Sequence, residues 1–189
     1  AMATDAGLRP GSDEWQKEVK RLRQERARNI GHEEVAKRYR KMWEQAGPAS
    51  VEHAYLKRKG VTSAPWLRQK GNLLLIPMRG LDDGSPLMSI QFIWPDGRRK
   101  FGKGARAART RTTIGAEKFK DLGTLFITEG WCTGWSVHHA TGEAVVVAFS
   151  VDNLTPVAVA MRAKYPTARI IICADNDWTK PSSPGVTGA

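Results

Sequence analysis

The chain has 189 residues, of which 41% are hydrophobic and 26% are charged. This composition contains enough apolar material for a folded core and excludes an intrinsically disordered chain. The apolar runs are short, and none reaches the roughly 20 residues that a membrane-spanning helix needs. The N-terminus lacks the apolar core of a signal peptide, and the two cysteines have the spacing of neither a zinc site nor a disulfide framework. We therefore expect a cytoplasmic globular protein without membrane association.

The positive charge of the chain is concentrated in one region. The net charge is +11, and residues 49–121 carry 15 basic against 6 acidic side chains. Residues 1–48 carry 11 and 8, and residues 122–189 carry 4 and 5. A region with so many unmatched positive charges favours a polyanionic partner, most commonly nucleic acid. The distribution of charged and apolar residues divides the chain into an N-terminal helical region (1–48), a basic α+β subdomain (49–121) and an apolar C-terminal region (122–189).

The N-terminal region predicts two helices, separated near residues 29–31. Ser12 or Asp13 can cap the first helix, and the second covers about residues 32–45. A third, short helix over 51–56 is expected to start at a Ser50 cap. The basic face of the first helix can contact phosphates, but interleaved glutamates favour a solvated surface.

The middle region changes to a strand pattern. Residues 72–77, 87–94 and 98–101 predict strands, and the Pro-Asp-Gly turn at 95–97 predicts that the last two form a hairpin. The loops of this small antiparallel sheet are expected to hold many basic side chains, with aromatic residues between them, as in a nucleic-acid groove. The alternative is a solvated basic hairpin. The candidate nucleic-acid or nucleotide ligands are Arg79, Arg98, Arg99, Lys100, Lys103, Arg106, Arg109 and Arg111.

The C-terminal region alternates buried strands and helices. Strands are predicted over 124–128, 144–149 and 169–174, with helices over 131–141 and from 155 to about 164. Strands that are apolar throughout and separated by helices indicate a parallel sheet covered on both faces. The predicted fold class is therefore α/β.

Three carboxylates follow two of these strands. Glu129 comes directly after the first strand, and Asp175 and Asp177 come directly after the third. Ligands of such sheets bind at the carboxyl ends of the strands, where these side chains can converge. Three converging carboxylates repel one another unless a hard divalent cation such as Mg²⁺ or Mn²⁺ lies between them. The alternative is that the two aspartates only cap a loop.

These strand ends resemble a known family. Residues 125–130 (LFITEG), the strand over 145–149 and residues 171–177 (IICADND) are similar to the Toprim domain of bacterial-type primases, of type IA and type II topoisomerases and of some nucleases. Residues 55–61 (YLKRKGV) resemble a segment that precedes the catalytic core of phage and plasmid primases. The resemblance implies a Toprim-like parallel sheet flanked by helices, preceded by a small basic antiparallel subdomain and N-terminal helices.

The resemblance implies a DNA primase core that synthesises short RNA primers. Glu129, Asp175 and Asp177 would be the catalytic metal ligands, and the basic residues would guide single-stranded DNA template and nucleoside triphosphates. A replicative helicase is a further candidate partner. Because the next helix of the Toprim domain would begin near residue 184, we expect a C-terminally truncated fragment.

Two other interpretations stay open. The Toprim site can instead cleave nucleic acid, as in nucleases and topoisomerases, although Tyr39, Tyr55 and Tyr165 lack the context of a topoisomerase tyrosine. The chain can also be a non-catalytic nucleic-acid-binding module, in which the acidic cluster is structural.

Overall fold

The computed structural model of the protein describes residues 9–174. In this range the chain forms four α-helices and a nine-stranded mixed sheet. The elements are, in chain order, α1 (Asp13–Gln45), β1 (Gly47–Pro48), α2 (Ala54–Arg58), β2 (Arg68–Lys70), β3 (Leu73–Gly80), β4 (Leu87–Ile93), β5 (Arg99–Phe101), β6 (Thr110–Ile114), a 3₁₀ helix (Ala116–Asp121), β7 (Thr124–Thr128), α3 (Trp131–Thr141), β8 (Ala144–Val147), α4 (Val151–Lys164) and β9 (Arg169–Cys173).

The C-terminal half of the sheet is parallel at its centre. Its strand order is β6-β8-β7-β9, and β7 pairs in parallel with both β8 and β9. Trp131 and Trp135 of α3 pack on one face of these strands, and Leu154 and Val157 of α4 pack on the other. Because β6 pairs antiparallel to β8, the sheet as a whole is mixed. The predicted α/β fold class, with a parallel sheet flanked by helices, is confirmed.

The N-terminal half of the sheet is antiparallel, as predicted. Strand β3 pairs with β2 on one side and β4 on the other, and β5 returns along β4 after the turn at residues 95–97. Gly97 has a φ of 93°, a conformation that favours glycine. The sequence pattern did not predict β1 or β2, because strands of two and three residues are too short to show alternation.

Strand β6 joins the two halves into one sheet. It pairs with β8 over residues 112–114 and with the end of β3 through Arg79 opposite Arg111 and Gly80 opposite Thr110. The segment was expected to be a basic loop. It is a strand because β8 offers it a hydrogen-bonding edge, which is a tertiary effect that a sequence pattern does not report.

The N-terminal region contains one helix instead of the two that were predicted. Helix α1 continues through Gly31, where an interior glycine costs only about 1 kcal/mol relative to alanine. Two ion pairs just C-terminal to Gly31, Lys37 with Glu34 and Arg40 with Glu33, support this stretch. The predicted Ser12 cap is confirmed, since the Trp15 backbone N–H donates to its hydroxyl.

Two further helix starts differ from the prediction. Helix α2 begins at Ala54 with His53 as its cap, whereas the Ser50 hydroxyl accepts a hydrogen bond from the Glu52 backbone N–H one turn earlier. Helix α4 begins at Val151 instead of residue 155, so that Pro156 lies inside the helix. Both starts depend on tertiary contacts of the first helical turn, such as the 2.9 Å contact of the His53 ring with the Asn72 carbonyl.

Within residues 9–174, no helix has both the length and the apolar composition that crossing a membrane requires. The boundaries of the three regions, 1–48, 49–121 and 122–189, stay a prediction.

Gly134 allows α3 to lie close to the parallel strands. A Cβ at this position would lie 2.9 Å from Oγ1 of Thr128 and 3.0 Å from Cγ2 of Val147, both in buried parts of the sheet. Such distances are shorter than normal carbon contacts, so the helix or the strands would have to shift.

We therefore expect Gly134→Ala to lower the free energy of unfolding by about 1–3 kcal/mol, because overpacking outweighs the gain in helix propensity. The matched control is Gly31→Ala in α1, where a Cβ meets no atom within 4 Å. This control should be neutral or stabilising by up to about 1 kcal/mol. Urea denaturation of both variants checks the prediction, and equal effects of the two substitutions would contradict it.

Candidate metal and nucleic-acid site

Glu129 lies at the carboxyl end of the central parallel strand. It follows Thr128, the last residue of β7, which is opposite Val147 of β8 and Cys173 of β9. Glu129 is half-buried, and its backbone carbonyl accepts a 2.8 Å hydrogen bond from the Phe149 N–H. The backbone of Glu129 is thus held against the end of β8.

The other two predicted metal ligands, Asp175 and Asp177, lie outside the described residues. The described part of β9 ends at Cys173, whose pairing with Thr128 fixes the register up to that point. Between residues 9 and 174, no three His, Cys, Asp or Glu side chains form a group that could hold a metal. Two of the three predicted ligands fall outside this range, so the predicted triad stays a prediction.

The basic hairpin β4–β5 reaches the same sheet edge. A Cβ on Gly130 would lie 3.5 Å from Nη1 of Arg99. The Arg99 guanidinium therefore lies beside the loop that carries Glu129. A cation from the middle of the sequence therefore lies next to the residue that follows Glu129.

Helix α2 anchors this hairpin. The Arg58 guanidinium donates a 3.1 Å hydrogen bond to the Pro95 carbonyl and lies 5.7 Å from the centre of the Tyr55 ring. Tyr55 is buried, and burial raises its pKa to about 12. Burial also raises the pKa of the neighbouring Cys132 thiol in the first turn of α3. These two groups are neutral at physiological pH and form packing contacts between α2 and α3.

The tyrosine environments do not favour topoisomerase chemistry. Tyr39 and Tyr55 are buried, and Tyr165 is half-buried against Phe119. The Tyr39 hydroxyl donates to the Lys103 carbonyl at 3.3 Å, and the raised pKa of Tyr55 opposes ionisation. A nucleophilic tyrosine needs an accessible and activated hydroxyl.

Phe101 and Phe149 form a small pocket beside Glu129. Their rings meet edge to face with centres 6.4 Å apart, and Phe101 is 39% exposed. Phe149 has a φ of 73°, which is rare for a residue with a side chain. The pocket has a volume of about 230 Å³ and is also lined by Arg109 and Asp152. An exposed aromatic ring next to cationic side chains can stack on a nucleobase.

The predicted basic residues fall into two groups. Arg98 pairs with Asp96 at 2.6 Å, and Arg111 pairs with Asp83 at 3.0 Å while its side chain is only 12% exposed. Arg111 also donates to the Leu81 carbonyl and the Thr113 hydroxyl, so its guanidinium helps to hold β6 in place. Six residues have no ion-pair partner among residues 9–174: Arg79, Arg99, Lys100, Lys103, Arg106 and Arg109.

Arg79 and Arg111 were expected in loops and lie in the strands β3 and β6 instead, whereas Arg99 and Lys100 lie in β5, within the strand predicted over 98–101. They therefore present their charge from a rigid sheet. Arg109 keeps a loop conformation with a φ of 57° at the start of β6.

Asn153 is a buried residue whose role the sequence analysis missed. Its side-chain amide donates 2.7 Å hydrogen bonds to the Thr110 and Ala148 carbonyls, and its amide oxygen accepts from the Arg109 N–H at 2.8 Å. Asn153 thus ties the start of β6 to the end of β8 at the edge that carries Glu129. An asparagine in the first turn of a helix that follows a buried strand is the sequence signal that could have indicated it.

Comparison with known proteins identifies the C-terminal region. Residues 124–188 match the Toprim domain family. This part of the chain therefore has the sequence features of a Toprim domain. Toprim domains generally bind divalent metal ions. No solved structure matches the chain significantly.

The similarity to curated proteins extends beyond the Toprim domain. DNA primase TraC of Escherichia coli is 31% identical over 165 residues, which cover 84% of this chain and 15% of that protein. A second DNA primase TraC of Escherichia coli is 29% identical over 160 residues, covering 81% of this chain and 11% of that protein. The chain therefore spans less than a sixth of the length of these relatives. The resemblance to Toprim primases of the plasmid type is confirmed.

The hydrogen bonds of the Asn153 side chain to Arg109, Thr110 and Ala148 can be tested by substitution. Asn153→Asp keeps the shape but replaces two amide donors with an oxygen that faces two carbonyl oxygens. We expect a loss of about 2–4 kcal/mol in the free energy of unfolding at neutral pH.

The loss should also depend on pH. Burial and the facing carbonyls favour the protonated acid, so the pKa of the new carboxyl is higher in the folded than in the unfolded state. Stability then falls as the pH rises through the folded-state pKa. Urea denaturation at several pH values measures this, with Asp152→Asn at the exposed neighbouring position as the control. A loss in the free energy of unfolding that is the same at every pH would contradict the prediction.

Proposed function

We propose that the chain is a catalytic core segment of a DNA primase, which makes short RNA primers on single-stranded DNA. The observation that carries this proposal is the position of Arg99 beside Gly130, the residue that follows the half-buried Glu129 at the end of β7. The similarity of most of the chain to two DNA primases supports it.

In this proposal Glu129, Asp175 and Asp177 hold the divalent metal, either Mg²⁺ or Mn²⁺. The fit rests on the donor chemistry, because carboxylate oxygens are the ligands that hard divalent cations prefer. The registered pairing of Thr128 with Cys173 supports a common edge for Glu129 and the residues that follow β9. When bound, the metal supplies charge stabilisation for the transferring phosphate.

The chain's own residues position the reactants. The primer 3′-hydroxyl attacks the α-phosphate of a nucleoside triphosphate, and pyrophosphate leaves. Arg99 binds the negative charge of the triphosphate at the mouth of the site, because its guanidinium has no ion-pair partner within residues 9–174. Phe101 offers an exposed ring on which a template or substrate base can stack. We place this reaction in the cytoplasm, with a replicative helicase as a candidate partner.

Replacing the proposed metal ligands should abolish catalysis and spare DNA binding. We expect Glu129→Ala, Asp175→Ala and Asp177→Ala each to lower primer synthesis by about 100-fold or more, as loss of charge stabilisation in an active site does. Excess EDTA should have the same effect on the unmodified chain. The measurement is incorporation of labelled ribonucleotides on single-stranded DNA with Mg²⁺ or Mn²⁺.

Glu143→Ala is the matched control, because Glu143 precedes β8 at the opposite edge of the same sheet. Full activity of the control with no activity of the three variants supports the metal site. Degradation of the template would indicate a nuclease instead. DNA binding that survives every substitution, without any metal-dependent reaction of the unmodified chain, would indicate a binding module.

Adjacent arginines test the role of the hairpin. We expect Arg99→Gln to lower primer synthesis by about tenfold or more, since it removes a cation that faces the transferring phosphates. Arg98→Gln should change activity by less than about threefold, because the charge of Arg98 is already compensated by Asp96 at an exposed position. Steady-state rates at varied nucleotide concentration provide the comparison. Equal effects of the two substitutions would exclude a specific role for Arg99.

A further inference from the structure

The N-terminal half of α1 is an exposed basic arm. The helix has 33 residues, which is about 50 Å at 1.5 Å per residue. Its buried residues, Ala36 and Tyr39, both lie in the C-terminal half, which packs on β3 and β4. No side chain between residues 13 and 30 is buried. Packing on the sheet therefore does not account for the N-terminal half of this helix.

One face of the arm lines a groove. The groove has a volume of about 430 Å³ and lies between α1 and the loop that contains Arg106 and Ala108. On the helix side it is lined by Arg21, Arg28 and His32, which recur at a spacing of seven and four residues and so share one face.

The charges in this groove are not balanced. Arg21 is paired with Glu18 at 2.7 Å and with Glu25 at 3.1 Å, and Glu25 is the carboxylate that lines the groove. Arg28 and Arg106 have no ion-pair partner among residues 9–174. The Arg106 Nε donates to the Ala108 carbonyl at 3.0 Å, which fixes the guanidinium and leaves its terminal amino groups available. Two cations on opposite walls favour an anion between them.

This groove adjoins the pocket beside Glu129. Ala108 lines both the groove and the pocket of Phe101 and Phe149. The two concave surfaces therefore meet at residue 108. Together they form a path from the Toprim edge to the arm, with exposed aromatic surface at one end and unpaired arginines at the other. Stacking surface followed by cationic surface is the composition that binds single-stranded nucleic acid.

We propose that the single-stranded DNA template passes from the Phe101 pocket over Ala108 into the groove, where Arg28 and Arg106 bind its phosphates. Helix α1 is then part of the template-binding surface. This inference rests on the proposed primase function only in identifying the bound strand as the DNA template. Arg21 to His32 span about 16 Å along the helix, which corresponds to two or three phosphates of an extended strand.

The test compares two double substitutions that remove the same charge from the chain. Arg28→Gln with Arg106→Gln removes both groove cations. Arg23→Gln with Arg26→Gln removes two cations of the same helix that do not line the groove. The measurement is fluorescence anisotropy with labelled DNA oligonucleotides of about 30 and about 6 nucleotides, the short one being near the lower limit of a single binding site.

We expect the groove substitutions to weaken binding of the long oligonucleotide by about tenfold or more at about 0.1 M salt, and to reduce the salt slope by about 1.4, as for two lost phosphate contacts on a single strand. The short oligonucleotide should bind within about threefold of the unmodified chain. The Arg23 and Arg26 pair should also stay within about threefold. Replacement of Arg28 and Arg106 by lysine should restore most of the long-oligonucleotide affinity, because the charge returns.

Several outcomes would overturn the inference. They are equal weakening by the two double substitutions, equal weakening of both oligonucleotides, and a groove effect seen with RNA of the same sequence and not with DNA. The assay needs no catalysis, so it separates the two proposals. A groove effect without primer synthesis would keep the template path and remove the primase. Primer synthesis without a groove effect would support the primase function and exclude the template path.

Discussion

The parallel pairing of β7 with its two neighbours is the constraint on which the candidate site depends. Thr128 is opposite both Val147 and Cys173, so the chain leaves three strands at one sheet edge. Apolar strands of this kind must be covered on both faces, which α3 and α4 do. Glu129 is the first residue after β7 at that edge, where it is half-buried.

The antiparallel half completes this edge and does not form a separate surface. Strand β6 connects the halves through few backbone pairs, so side chains carry much of the junction. Arg111 bonds the Leu81 carbonyl, and Asn153 bonds both β6 and the end of β8. Arg58 fixes the hairpin turn that brings Arg99 to Gly130. Buried or constrained polar groups thus determine where the exposed cations lie.

The charge surplus has two different physical roles. Arg98 and Arg111 are compensated by aspartates, and Arg21 by glutamates, so their contribution is local structure. Arg28, Arg99, Arg106 and Arg109 have no ion-pair partner in the described part of the chain, and they lie beside Gly130 or line the pocket and the groove. Net charge indicates a polyanionic partner, but only the ion pairs tell which side chains are available to bind it.

The sequence by itself determined the α/β class, the antiparallel hairpin and the position of Glu129 after a buried strand, because apolar runs, glycine turns and strand lengths are local properties. It also indicated the Toprim resemblance through residues 125–130. Tertiary structure decided the rest. Helix α1 continues through Gly31, β6 is a strand, and α4 starts at Val151, because these outcomes depend on ion pairs, a neighbouring strand edge and the buried Asn153. The meeting of Arg99 with the Glu129 loop joins residues 30 positions apart, and no local pattern encodes such a contact.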